Sequence, residues 1–341
     1  MTIQTTNRRV ESRSSKAYCN VLADQLGLDP AGYAGHFNDA VLIETDMPWR
    51  KEVFREAGAL PQEMIDLVAM WIKNYHETGV YGHRPLLIAP DEEYSQPGYR
   101  RVIYYERSEG AFAHFDRQEY LVPEEQTGQL IWSLFEAKDA LSQFREYQVR
   151  FDQTGRDILV CTHGTVDVAC AKFGYPLYRS MRDAYASQET HPDLRVWRVS
   201  HFGGHVFAPT LMDMPTGHYW AYVGEEQVDQ IIERNGDVTD LHGYYRGWAG
   251  LKAGFVQASE RAVWQREGWP WFDYRKSGEI VAQDSGEQPQ WADVRINGIS
   301  PDGDERAYHI RVEVERTVET VPSTDHESTH AYLQYVVTSL T

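Results

Sequence analysis

The stretch Cys161-Thr-His-Gly-Thr-Val-Asp-Val-Ala-Cys170 holds two of the chain's three cysteines, and the later His201-Phe-Gly-Gly-His205 holds a pair of histidines. Two thiolates and two imidazoles are the ligand count that a [2Fe–2S] cluster or a zinc ion takes. Zinc sites usually space their cysteines by roughly two to four residues, and the wider gap here favours iron–sulfur while leaving zinc open. Adjacent Gly203 and Gly204 argue against a helix, and no Glu follows His201. The pair is therefore not the helical His-x-x-x-His of a zinc protease. Without side chains, the two glycines let backbone come close to a bulky inorganic core.

These residues sit where strands end. Residues 156–161 read as a strand and 168–186 as a helix, so the two cysteines bracket a strand-to-helix loop, where backbone N–H groups and the helix dipole favour thiolate. Residues 194–200 read as a second strand running into His201. A hairpin is expected from 206–209 and 218–223 around Pro215-Thr-Gly217, followed by helices over 225–234 and 250–267. Upstream, residues 40–44, 85–89 and 101–105 read as strands, and 60–78 and 121–139 as helices. The pattern predicts two α/β units of similar order, over 16–148 and 149–276, after a disordered leader over 1–15. Alternating segments at 291–296, 307–315 and 331–339 predict a β-rich C-terminal extension over 277–341.

The 341-residue chain carries a formal charge of -18, which disfavours nucleic acid or an anionic membrane as a partner. No apolar run reaches the roughly 18 residues of a membrane span. Three cysteines cannot form a disulfide framework, and their scarcity suits a reducing compartment. The expectation is a cytoplasmic protein.

The motifs Cys161-Thr-His-Gly…Asp167…Cys170-Ala-Lys-Phe-Gly174, His201-Phe-Gly-Gly-His205 and Tyr245-Arg-Gly247, with Ile43-Glu-Thr-Asp-Met-Pro-Trp49 upstream, resemble the sucrase/ferredoxin-like family of thioredoxin-like ferredoxins. The resemblance covers about residues 16–270. It implies two thioredoxin-like domains in tandem, the second holding a [2Fe–2S] cluster on Cys161, Cys170, His201 and His205. The extension after about Ser277 has no counterpart in it, and Trp248 stands where small residues are expected. Two neutral imidazoles on one iron would raise the potential toward the roughly -150 to +300 mV of Rieske centres. They would also make the cluster acid-labile.

Around the ligands, His163 and Asp167 are read either as hydrogen-bonding the centre or as loop caps. Arg246 is either a charge beside the centre or a surface residue. Lys172 reads as a surface lysine, Cys19 as a free buried thiol, and His326 and His330 as surface histidines. The tryptophans from Trp220 to Trp271 read as core, with one of them a candidate for an electron path.

The expected function is one-electron transfer with no catalytic residue. A flavin-dependent reductase is the expected donor, and a ferric chelate such as an iron–siderophore a suitable acceptor. A cluster-based redox or iron sensor and a structural Cys2His2 zinc protein are the alternatives. A Cys161–His163 nucleophile pair ranks below them, because strand residues two apart stand about 7 Å from each other. No carboxylate pair at a readable spacing suggests a glycosidase.

Overall fold

A computed structural model describes residues 17–79, 82–150, 155–186 and 191–341; the leader expected over 1–15 lies outside the described residues. Helix α1 (Cys19–Gln25) precedes strand β1 (Asp39–Glu44), which is buried along its whole length, as its unbroken apolar run requires. Helix α2 (Gln62–Thr78) buries Met64, Leu67, Val68 and Trp71, the stripe their helical spacing predicts. Strands β2 (His83–Ile88), β3 (Tyr99–Glu106) and β4 (Asp116–Pro123) follow, and then helix α3 (Thr127–Phe135). The helix expected over 121–139 is thus corrected: its first residues finish β4. Arg117 and Glu119 are buried in that strand, so its sequence lacks the polar-out pattern that would have marked it.

The second half runs β5 (Arg156–Cys161), α4 (Val168–Ala184), β6 (Leu194–Val199), β7 (Leu211–Met214), β8 (His218–Trp220), α5 (Glu225–Glu233), β9 (Tyr245–Trp248) and α6 (Phe255–Glu267). The expected turn at Pro215-Thr-Gly217 joins β7 to β8. Its first arm, however, is β7 and not 206–209. Gly203 and Gly204 take positive φ (98° and 78°), and the chain winds into a 3-10 turn over His205–Phe207 before a strand can begin.

All nine strands form one sheet in the order β4-β3-β1-β2-β6-β5-β7-β8-β9. β1–β2 and β5–β6 are parallel and the remaining neighbours antiparallel. The ladder between the halves is a single pair, Ile88 with Val199. Flanking bonds reinforce it, from Ser200 N to Leu87 O (2.8 Å) and from Leu87 N to Ser200 Oγ (2.9 Å).

A buried ion cluster also ties the halves. Asp157 of β5 accepts from Arg195 Nε of β6 (2.8 Å) and Trp197 Nε1 (2.7 Å), while Glu119 of β4 accepts from Arg195 Nη1 (2.9 Å) and Nη2 (2.8 Å). Burial alone would raise both carboxyls. The surrounding arginines, Arg117 and Arg195 at Asp157 and Arg195 foremost at Glu119, hold them below the usual range instead.

The C-terminal extension is a separate four-stranded antiparallel sheet of β10 (Arg275–Gln283), β11 (Trp291–Ile299), β12 (Glu305–Thr320) and β13 (His330–Leu340). Most of β10 is exposed, so its polar residues hide it from a search for alternation. Helix α6 joins the two sheets, with the rings of Phe255 and Tyr335 5.1 Å apart. Trp220, Trp248, Trp264 and Trp271 are fully buried core residues. Among the described residues no helix is long and apolar enough to cross a membrane.

Candidate metal centre

The ligand loop begins where β5 ends at Cys161 and closes where α4 begins. Asp167 is the N-cap of α4, its Oδ1 accepting from Ala169 N at 2.8 Å. That cap starts the helix so that Cys170 falls in its first turn. Gly174, one turn on, brings α4 against the end of β5; a Cβ there would lie 2.0 Å from Cys161 O. Helix and strand are therefore in backbone contact at the site, and the two thiols face each other.

Cys161, Cys170 and His201 converge, their ligand atoms all within 4.8 Å of one another. His201 Nδ1 is 3.9 Å from each sulfur. Both thiols are buried, at 2% and 1% exposure. The Cys170 thiol interacts with the Cys161 sulfur, and with His201 close by this pulls the Cys161 pKa well below its ordinary value. The same contact, with burial, pushes Cys170 well above it. A thiol whose pKa is lowered in this way is suited to binding a metal ion, which takes thiolate.

His205 lies beside this group with its ring centroid 5.2 Å from that of His201. Its Nδ1 turns to a second cluster, 3.4 Å from Asp167 Oδ2 and 3.8 Å from Cys19 Sγ. Cys19, Asp167 and His205 also hold their ligand atoms within 4.8 Å. Burial, then the neighbouring His201, lowers the His205 pKa, and a neutral imidazole is the form that binds metal. Cys19 is a free buried thiol as expected, pushed up to about 11 chiefly by burial. Its position beside His205 is not foreseeable from a lone cysteine far upstream.

Of the readings the sequence left open, the cap is found: Asp167 caps α4, and its other oxygen lies 3.4 Å from His205 Nδ1. It also accepts from Ser323 Oγ (2.9 Å), Thr324 N (2.8 Å) and Thr324 Oγ1 (2.7 Å) of the extension. The site is thus clamped from the C-terminal sheet, which sequence patterns do not reveal. His163 Nδ1 accepts the His201 backbone N–H at 3.2 Å and so fixes the turn that presents the ligand.

Arg246 is not a surface residue. It is 2% exposed and donates to Gly203 O (3.2 Å) and Tyr33 O (2.6 Å). Burial lowers its pKa to about 10. Gly204 makes room for it, since a Cβ there would fall 2.4 Å from Arg246 Nη2. Lys172, His326 and His330 are exposed, as read.

The model of the family described as sucrase/ferredoxin-like matches residues 30–247. The altered inheritance of mitochondria protein 32 of Meyerozyma guilliermondii is 25% identical over 121 residues, 33% of this chain and 42% of that relative. The chain thus spans about two fifths of the curated relative it matches. No solved structure matches it. The family match takes in both cysteines, both histidines and Arg246, and it covers well over half of the 341 residues: the chain belongs to the sucrase/ferredoxin-like family.

Proposed function

We propose that this protein transfers single electrons through a [2Fe–2S] cluster held by Cys161, Cys170, His201 and His205, its halves being two thioredoxin-like units in tandem. The observation that carries the reading is the convergence of two buried sulfurs and His201 within 4.8 Å, with the His205 ring at 5.2 Å from that of His201. This donor set fits the group: two buried soft sulfurs, one with its pKa held well below the ordinary thiol value, and two imidazoles, of which burial lowers the pKa of His205.

When bound, the cluster supplies a one-electron couple. The chain's own residues do the rest. Cys161 and Cys170 give up their protons on loading. His163 fixes the His201 backbone, Asp167 orients His205 through Nδ1, and the apolar surroundings keep water off the sulfurs. A flavin-dependent reductase is the proposed donor, a ferric chelate such as an iron–siderophore the proposed acceptor, and the cytoplasm the proposed location.

The Asp167–Thr324 clamp favours a second reading, a redox or iron sensor in which loss of the cluster frees the C-terminal extension. Protease protection of the extension with and without cluster separates the two, since a simple carrier shows no change.

The test is visible absorption and reduced-state EPR of anaerobically purified protein with Cys161→Ser and His201→Cys variants. A red-brown protein whose S = 1/2 signal vanishes in the first variant and shifts in the second supports the reading. A colourless protein with stoichiometric zinc overturns it in favour of a structural site.

A further inference from the structure

Beside His205, a cavity of about 360 Å³ opens between the Gly203–Gly204 turn, the segment around Tyr33 and the C-terminal sheet. Small-molecule sites run from about 300 to 1,000 Å³. Two arginines line it, Arg84 of β2 and Arg246 of β9. In a chain with 51 acidic and 33 basic residues, neither guanidinium has a carboxylate partner among the described residues. The Nε of each is buried with no hydrogen-bond partner there. Arg246 spends two of its donors on backbone carbonyls and lies over the rings of Phe207 and Tyr219 at 5.1 and 5.4 Å, with no carboxylate beside it among the described residues.

The hydroxyl of Tyr219, a fully buried residue, is likewise without a partner. A Cβ on Gly35 would meet Arg84 Nη2 at 2.9 Å and Tyr219 Oη at 3.0 Å. Gly35 thus lets Arg84 pack closely against the backbone at the cavity wall, with the buried Tyr219 hydroxyl behind it. Burying unpaired donors of this kind costs stability unless an acceptor meets them. Other walls are aromatic: Phe202, Phe207 and, from the extension, Tyr332.

We propose that this cavity binds a small aromatic carboxylate, its anionic group on Arg84 in the field of Arg246 and its ring against Phe202, Phe207 and Tyr332. The forked guanidinium matches a planar carboxylate. A phosphate or sulfate fits worse, because its remaining oxygens would face those rings with no donor. Bound there, the ligand lies next to His205, at the histidine side of the metal centre, and is walled partly by a segment beyond the family's match.

Isothermal titration calorimetry of the full chain with benzoate tests this, and its readout is independent of whether Cys161 and its partners hold iron–sulfur or zinc. Expected are one benzoate per chain, an affinity about tenfold weaker in Arg84→Gln and partly restored in Arg84→Lys, and no displacement by benzyl alcohol. Tyr332→Leu replaces one ring of the wall without touching either arginine, keeps the fold if Arg84→Gln does not, and is expected to weaken benzoate about threefold. Absence of saturable heat overturns the proposal, as does unchanged affinity in the variants. Sulfate binding as tightly as benzoate and displacing it would overturn it too, leaving an inorganic-anion site only.

Discussion

Asp167 and Thr324, 157 residues apart, are joined through both carboxylate oxygens: Thr324 N donates to Oδ2 and its hydroxyl to Oδ1. The same carboxylate caps α4 and approaches His205. One side chain therefore links the start of the ligand helix, a candidate ligand and the C-terminal sheet.

Removing that carboxylate strands several buried donors at once. Asp167→Ala should cost about 3 kcal/mol, summing a lost cap and orphaned N–H and O–H groups. Thr324→Ala, which keeps the backbone bond, should cost about 1 kcal/mol. Urea unfolding at constant m-value measures both. Metal retention under chelator competition should fall about 10–100-fold in Asp167→Ala. Equal, near-zero costs would mean that the clamp carries no stability.

Two glycines at the site should respond differently to alanine. At Gly174 the new Cβ would lie 2.0 Å from Cys161 O, with backbone on both sides and nothing to yield. Gly174→Ala should push α4 off β5, costing about 3 kcal/mol and altering the metal-centre spectrum. At Gly203, with φ 98° and nothing within 4 Å of a Cβ, the cost is only that of a strained backbone, about 1–2 kcal/mol. Thermal melts and absorption spectra of the two variants decide.

The buried ion cluster predicts an acid limb of stability. Asp157 and Glu119 both titrate below their ordinary values in the fold. Their contribution is therefore complete above the unfolded values of about 3.9 and 4.3, and it is lost as pH falls below them toward the folded ones. The melting temperature should hold between about pH 7 and 5 and drop below about pH 4, less steeply in Asp157→Asn. Asp157→Ala should cost about 3–5 kcal/mol at neutral pH, because it leaves Arg117 and Arg195 buried with one partner fewer. A variant with the wild-type pH profile would assign the acid limb to other groups.

Stripping the metal should expose a ranking of thiols. Cys161 is held well below the ordinary thiol value, while Cys19 is pushed up to about 11. Iodoacetamide at about pH 7.5 should modify Cys161 ahead of Cys19 and Cys170, as read by peptide mass spectrometry. In the loaded protein neither Cys161 nor Cys170 should react. Early labelling of Cys19 would contradict the environment described for it.

The parts of the site that were legible in the sequence are local. Residues 158–161 are an apolar run ending in the candidate ligand Cys161, and the Gly203–Gly204 pair marks the turn before His205. What stayed hidden depends on distant segments. Cys19 and Thr324 meet Asp167 only through the tertiary fold, and neither carries a local pattern that says so. β4 was obscured for the opposite reason: Arg117 and Glu119 look like surface residues yet are buried as partners. Arg246 was left between two readings because a fully buried guanidinium satisfied by backbone carbonyls has no sequence signature.

The one-pair ladder between Ile88 and Val199 has a mechanical meaning. The strand that makes this weld ends two residues before His201, so the imidazole is placed by the seam itself. Sliding one half past the other would displace it. The candidate metal centre is in that sense a gauge of how the halves are aligned, and a partner that grips both halves at once also grips His201.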